Sequence, residues 1–277
     1  MVHSVRGARS VEQLLQLGET ALKKIDRSGQ YAEAYEAGNR DPELVYNYIK
    51  ALNQAGKPSL RIVNEYLRSQ KDLSSEANLR ILFEGTTQAD SRVFDLLVQH
   101  KKAVGQLMGY QNLLDRIEKA CQNTADRAVE FKSADLLEEA KRKMKAHHPK
   151  AYEAFALKAD MNFYAALRDH KNYLKACTAY AKKVADENAE ELRSLAERIA
   201  ELFPQEDKCM KQAEAIARSA AEKGQQYQHY LTYANILLQN GKKEQALEAA
   251  QHAREAAKKS GPIAERIVEN WIEKVSG

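Results

Sequence analysis

The chain has 277 residues, of which 44% are hydrophobic and 30% are charged, with 43 Lys and Arg against 39 Asp and Glu. This composition excludes a disordered chain and the collagen-like and small disulfide-stapled classes, and the low content of Gly (12) and Pro (5) favours helix nearly throughout. The formal net charge of +4 is too small to predict a nucleic-acid-binding protein.

The first 25 residues differ in pattern from the rest. Residues 2–6 alternate between apolar and polar side chains, as in a strand, and Gly7 interrupts them. Ser10 is then a predicted N-cap for an amphipathic helix that extends to Ile25. A single strand has no partner in an all-helical chain, so it is either loose or the remnant of a sheet whose other strands are absent.

From Asp41 onward the pattern predicts helices separated by short turns. Residues 41–43, Asp-Pro-Glu, combine a cap, a Pro at the first helical position and an acidic first turn. Residues 56–58 end this helix, and Ser59 is predicted to cap the next one. Further helix starts are predicted at residues 74–75, 90–91, 112, 133, 149 and 262.

The hairpin over residues 227–260 has the most regular pattern in the chain. Tyr230, Tyr233 and Leu237 fall at large positions, Ala234 falls at a small one, and Gly241 marks the turn. This spacing resembles a tetratricopeptide repeat, a pair of helices of about 34 residues. A similar frame surrounds residues 169–171, although that turn has no Gly. The sequence therefore predicts an all-α array of antiparallel helical hairpins, an α-solenoid like that of tetratricopeptide repeats, with a compact bundle as the alternative.

A binding surface is predicted on the first helix of this hairpin. In tetratricopeptide repeats the first helices line a groove that holds extended peptides. By this resemblance Tyr230 and Tyr233 pack in the core. The alternative is that all three tyrosines of this helix serve packing alone. The residues predicted to face a peptide are Tyr227, Gln228, Asn235 and Lys242.

The remaining motifs give no catalytic, cofactor or metal site. The sequence has no nucleotide-binding glycine pattern, no hydrolase elbow and no HExxH. Cys121, Cys177 and Cys209 form no CxxC, and we expect packed, reduced thiols, with one disulfide as an open alternative. His229 is predicted to lie on a helix surface. The basic stretch at 141–150 is predicted to be a solvated helix C-terminus rather than a phosphate-binding patch.

Two stretches resemble a known family. The opening VHSVRGARSVEQLLQLGETAL is similar to the last strand and C-terminal helix of a thioredoxin fold. The segments RDPELVYNYIKALNQAG, NEYLRSQKDLSSEANLRILFE and ADSRVFDLLVQHK resemble the helical region that follows the thioredoxin domain in Bacteroidetes thiol-disulfide interchange proteins. The family's CxxC pair and cis-Pro loop are absent, so no catalytic residue carries over.

The resemblance implies three regions. Residues 1–28 are the end of a thioredoxin-like domain with a linker, 29–148 are N-terminal hairpins, and 149–277 are tetratricopeptide-like repeats. It further implies a non-enzymatic interaction or scaffolding module of a longer periplasmic or envelope protein, whose partner is a polypeptide or the neighbouring thioredoxin-like domain. If Met1 is the native start, a cytoplasmic location is expected instead. The alternatives are a structural spacer or homodimerisation domain, and an enzyme with an unrecognised site between helices. Neither a membrane span nor a nucleic-acid partner is predicted.

Overall fold

The computed structural model describes Glu12 and residues 26–277, and in this part of the chain all the regular structure is helical. The all-α prediction is confirmed. The strand predicted over residues 2–6 and nearly all of the helix predicted to extend to Ile25 lie outside the described residues. The helices of the described part are α1 (Gly29–Glu36), α2 (Pro42–Gln54), α3 (Leu60–Ser69), α4 (Glu76–Gly85), α5 (Arg92–Gln99), α6 (Lys101–Met108), α7 (Tyr110–Phe131), α8 (Ala134–His147), α9 (Pro149–Ala166), α10 (His170–Lys183), α11 (Ala189–Leu202), α12 (Asp207–Gly224), α13 (Tyr227–Gln239), α14 (Lys243–Lys258) and α15 (Pro262–Ser276).

The chain forms two compact units. Unit 1 consists of Met1–Arg127 and Ala134–Pro149, and unit 2 consists of Ala128–Ser133 and Lys150–Gly277. Helices α1–α6 and α8 therefore belong to unit 1, together with most of α7. Unit 2 contains α10–α15 and all of α9 except its first residue.

Helices α2 and α5 of unit 1 begin where the sequence predicts helix starts, at residues 41–43 and 90–91. The side chain of Asp41 accepts hydrogen bonds from two backbone N–H groups in the first turn of α2, so its predicted cap is confirmed. Ser91, for which no cap is predicted, accepts one from Phe94 at the start of α5. The prediction for Ser59 is wrong, because its hydroxyl donates a 2.6 Å hydrogen bond to Asn53 and makes no cap to α3.

Helix α7 orders the segment between α4 and α5 through polar contacts. Arg116 forms a 2.9 Å ion pair with Glu84 at the end of α4. The hydroxyl of Thr124 accepts a 2.8 Å hydrogen bond from the backbone N–H of Ala89. This connection is therefore held by side chains of a distant helix, which supply the partners that its backbone lacks.

Unit 2 is built from three consecutive hairpins, α9–α10, α11–α12 and α13–α14, followed by α15. Helix α11 contacts α12, its own partner, and α13, the first helix of the next hairpin, while α10 contacts α12. First helices thus pack on first helices and second helices on second helices, as in a repeat array. The predicted array of hairpins is confirmed.

Hydrogen bonds join the successive first helices of unit 2. They join α11 to α9, α13 to α11, and α15 to α13. The bonds are Arg198 to Asn162 (2.9 Å), Thr232 to Glu197 (2.6 Å) and Trp271 to Asn235 (2.7 Å). They fix the register of neighbouring hairpins, because each joins residues about one repeat apart.

The turns within the first and third hairpins of unit 2 contain left-handed backbone conformations. Gly241 has φ +73° between α13 and α14, at the predicted turn. In the corresponding turn of the first hairpin, where Gly is missing, Arg168 adopts φ 57° and its guanidinium donates a 2.9 Å hydrogen bond to the carbonyl of Leu202. A non-glycine residue therefore takes the position that glycine usually holds.

Candidate functional site

An open groove lies between three helices of unit 2. It has a volume of about 650 Å³ and is bounded by α12 and α14 on its sides, with α13 contributing two tyrosines. Its polar and aromatic lining side chains are Glu214, Arg218, Glu222, Tyr230, Tyr233, Lys242, Gln245, Glu248 and His252. We call this feature the α12–α14 groove.

Small residues on α14 allow the groove tyrosines to approach this helix. The side of α14 that faces α13 is a run of buried alanines, among them Ala249 and Ala253. Tyr233 packs against the cluster that contains Ala249, and Tyr230 against the cluster that contains Ala253. Each tyrosine therefore has its ring partly buried, as the predicted core role requires, and its remaining surface in the groove.

The preceding hairpin has leucines where this hairpin has tyrosines. Relative to the small residues Ala196 and Ala234, Leu192 and Leu195 occupy the positions of Tyr230 and Tyr233. Both leucines are buried, with 2% and 6% of their surface exposed, whereas both tyrosines are half-buried. Packing alone is satisfied by leucine at these positions, so the tyrosines supply a polar, accessible surface in addition.

One end of the groove is closed by an ion pair. The ammonium of Lys242 lies 2.7 Å and 2.9 Å from the two carboxylate oxygens of Glu214, and the amide of Asn240 donates a 2.6 Å hydrogen bond to the same carboxylate. Burial raises the pKa of Glu214, but these hydrogen bonds outweigh burial and the net shift is downward. Glu214 is therefore ionised and fully engaged near neutral pH.

The hydroxyl of Tyr233 is subject to the charges of the side chains that line the groove. Burial raises its pKa, and the charges of Arg218, Glu214, Lys242 and Glu222 all act on it. The phenol is therefore protonated near neutral pH. It offers one donor and one acceptor to a ligand in the groove.

The other end of the groove is aromatic and acidic. The rings of Tyr230 and His252 stack with their centroids 5.6 Å apart and an interplanar angle of 27°. Glu222 and Glu248 are exposed there, and neither carboxylate forms an ion pair or hydrogen bond with a described residue. This end therefore has charge that no described residue neutralises.

The structure does not bring the four predicted peptide-facing residues together. Lys242 lines the groove but is engaged by Glu214. Tyr227 packs against the cluster of Ala253 and Val268, and Asn235 accepts the hydrogen bond from Trp271. Gln228 is exposed. The groove residues on α12 and α14 were not predicted as site residues. The sequence pattern that could have indicated them is polar side chains four residues apart on one helix face, namely Arg218 with Glu222 and Glu248 with His252.

His229 does not lie on the helix surface, and that prediction is wrong. Only 3% of its surface is exposed, and neither ring nitrogen has a hydrogen-bond partner. Its Nε2 lies 3.6 Å from a carboxylate oxygen of Glu190 on α11. Burial lowers the pKa of His229, Glu190 opposes this shift, and Arg193 adds to it. The ring is therefore neutral at pH 7 and packs between α11 and α13.

The three cysteines are buried free thiols, so the expectation of packed, reduced thiols is confirmed. Burial raises the pKa of Cys121 and of Cys177 to about 12. The pKa of Cys209 is also raised by burial. A thiolate is the reactive form, so none of the three is an activated nucleophile near neutral pH.

The basic stretch at 141–150 is largely neutralised by neighbouring acids. Lys141 pairs with Glu138 at 2.9 Å and Arg142 with Glu139 at 2.6 Å. Lys143 is buried and pairs with Asp95. These ion pairs leave little free charge for a phosphate.

Among the described residues, no group of three or more His, Cys, Asp or Glu side chains is placed to hold a metal ion. In the same part of the chain, no helix combines the length and the apolar character needed to cross a bilayer.

No protein-family model matches the chain, and no curated protein matches it either.

Proposed function

We propose that unit 2 is a non-catalytic protein-interaction module, and that the α12–α14 groove holds a segment of a partner polypeptide. The observation that carries this proposal is the half-exposure of Tyr230 and Tyr233 in a groove, at positions where the preceding hairpin buries Leu192 and Leu195. Tyrosine provides a large contact area and a polar group with little loss of side-chain entropy, and it is enriched at protein interfaces.

The polar groups of the groove suit a peptide backbone. The hydroxyl of Tyr233 and the amide of Gln245 each offer a donor and an acceptor, and Arg218 offers further donors. An extended polypeptide presents alternating N–H and C=O groups that match such a mixed lining. The carboxylates of Glu222 and Glu248 would repel a nucleic-acid backbone.

The ionisation states in the groove support a binding role over acid–base catalysis. The shifts hold Glu214 ionised and Tyr233 protonated, so neither group exchanges a proton readily near pH 7. A general acid or base works best with a pKa near the operating pH. The groove groups are therefore better suited to fixed hydrogen bonds and ion pairs.

The test is selection of a phage-displayed random peptide library on the immobilised full chain, followed by fluorescence anisotropy with the recovered synthetic peptides. The variant Tyr230→Leu/Tyr233→Leu recreates the residues of the preceding hairpin and preserves core packing. We expect it to weaken peptide binding by about tenfold or more while the melting temperature changes little. The control Tyr46→Leu makes the same chemical change at a half-buried tyrosine of unit 1.

Two results would contradict the proposal. One is peptide binding that survives in Tyr230→Leu/Tyr233→Leu as it does in Tyr46→Leu. The other is self-association of the wild-type chain in analytical ultracentrifugation that the double variant abolishes, because the groove would then receive a second copy of this chain.

The resemblance of the opening residues supports a second part of the proposal. On this basis the module lies beside a thioredoxin-like domain in the cell envelope and positions that domain on its clients. The intact mass and N-terminal sequence of the native protein test this part. A longer protein with a CxxC domain upstream of Val2 is expected, and a native 31.3 kDa chain that begins at Met1 would contradict it.

A further inference from the structure

We infer that the α12–α14 groove selects polypeptide segments carrying a lysine or arginine side chain, which it receives between Glu222 and Glu248 beside the Tyr230–His252 stack. This inference rests on the proposed function and specifies its ligand.

The two sides of the groove run in the same direction. Helices α12 and α13, and then α13 and α14, are neighbours in contact joined by short turns, so α12 and α14 are both antiparallel to α13. The ion pair between Glu214 and Lys242 places the start of α14 beside Glu214 of α12. We call this the first end of the groove and the end with Tyr230 and His252 the second end. Glu222 follows Glu214 by about two turns, or about 12 Å, and Glu248 follows Lys242 by about 9 Å. Glu222 and Glu248 therefore lie at the same, second end of the groove.

The balance of charge differs between the two ends. At the first end Lys242 neutralises Glu214. At the second end the carboxylates of Glu222 and Glu248 have no partner among the described residues. Arg218 lies one turn before Glu222 and is the one cation of the lining that forms no ion pair with a described residue. Two unpaired carboxylates thus outnumber one unpaired guanidinium, and the excess is negative.

The aromatic pair adds to the attraction for a cation. A lysine or arginine side chain gains by lying on an aromatic face with its charged end beside a carboxylate, and both partners are present at this end. The apolar stem of such a side chain can lie along the ring of Tyr230, which is half-buried. An acidic or purely apolar side chain gains neither contact, so the second end of the groove discriminates by charge.

The test uses two chain variants and one set of peptides. From the peptides recovered on the wild-type chain, one is resynthesised with its basic residue kept and with that residue replaced by Gln or Glu. We expect basic residues to be enriched among the recovered peptides. We expect the Gln peptide to bind about tenfold more weakly, the Glu peptide more weakly still, and the affinity of the basic peptide to fall as the NaCl concentration rises.

The variant Glu222→Gln/Glu248→Gln should remove the difference between the basic and Gln peptides. The control Glu244→Gln/Glu273→Gln makes the same change in net charge at exposed residues outside the groove lining, and it should keep that difference. Substitutions at exposed positions such as these leave the fold intact, which circular dichroism checks.

The outcomes separate this inference from the proposed function. Peptides that need Tyr230 and Tyr233 but show no preference for a basic residue would overturn the inference and leave the proposed function standing. A basic preference that Glu222→Gln/Glu248→Gln and the control lower equally would also overturn the inference, because the cause would then be the net charge of the chain. If no peptide depends on the two tyrosines, the proposed function fails first.

Discussion

The imidazole of His229 occupies the space beside Gly224, at the point where α12 ends and α13 begins. A Cβ placed on Gly224 would lie 2.5 Å from Nδ1 of His229 and 2.8 Å from the Cβ of Ala189. Glycine is therefore needed here for close approach, whereas the left-handed turn is made by the next residue, Gln225, with φ 49°. The imidazole of His229 can therefore pack in this position only because residue 224 has no side chain.

Replacement of Gly224 by alanine should destabilise unit 2. In an open helix the change stabilises by about 1 kcal/mol because glycine is a poor helix former. Here the added methyl group meets the imidazole, and overpacking of this kind costs about 1–3 kcal/mol. Urea denaturation measures the change. The control Gly29→Ala adds a Cβ that meets nothing within 4 Å, and a more stable Gly224→Ala would contradict the packing described for His229.

His229 should make the stability of unit 2 depend on pH. Folding lowers its pKa from a value near 6.5. At a pH between the folded and the unfolded pKa, the unfolded chain therefore binds more protons than the folded one. Its contribution to stability is complete above about pH 7.5 and is lost as the pH falls through 6.5 toward the folded pKa. The expected slope is at most about 1.4 kcal/mol per pH unit. The free energy of unfolding, measured by urea denaturation at several pH values, should lose this pH dependence in His229→Gln. An unchanged dependence on pH in this variant would show that the ring does not titrate as described.

Substitution of Gln225 by glycine should stabilise the chain. Gln225 is in a left-handed conformation after α12, and this conformation costs a non-glycine residue about 1–2 kcal/mol. Part of the gain is offset because glycine loses more conformational freedom on folding. A net gain of about 0.5–1 kcal/mol is expected from thermal or urea denaturation. A loss of stability would indicate that contacts of the glutamine side chain outweigh the backbone strain.

The native chain should react very slowly with a thiol reagent such as Ellman's reagent. All three cysteines are buried, and the pKa values of Cys121 and Cys177 are raised to about 12. Three thiols should become reactive on unfolding in guanidinium chloride. Rapid reaction of one equivalent in the native state would contradict the burial of that cysteine, and fewer than three reactive thiols after unfolding would indicate a disulfide.

Much of the fold could be predicted from helix period and cap residues. Asp41 caps α2 as expected, and α5 begins at the predicted residues 90–91, because helix starts depend on local geometry. Helix α6 was not predicted, because His100 alone separates it from α5 and makes no side-chain cap at its start. The turn at Arg168 lacks the residue type that marks such turns, so its left-handed backbone could not be anticipated.

The site was harder to predict, because exposure depends on the neighbouring helix. The repeat pattern singled out the hairpin that contains Tyr230 and Tyr233. Which side of this hairpin stays open depends on how α12 packs against α13, and no local pattern reports that packing. The burial of His229 arises in the same way, from the approach of Gly224 and Ala189 on other elements.

Peptide binding in the α12–α14 groove is tested most directly by a benzophenone photo-crosslinker at the centre of the groove. p-Benzoylphenylalanine replaces Tyr233 in one sample and Tyr46 of unit 1 in another, and each is irradiated with a peptide recovered on the wild-type chain. We expect that the peptide crosslinks at position 233, that excess unlabelled peptide competes with this product, and that position 46 gives none. Equal crosslinking at both positions, or crosslinking at position 46 alone, would contradict the claim that this groove is the binding site.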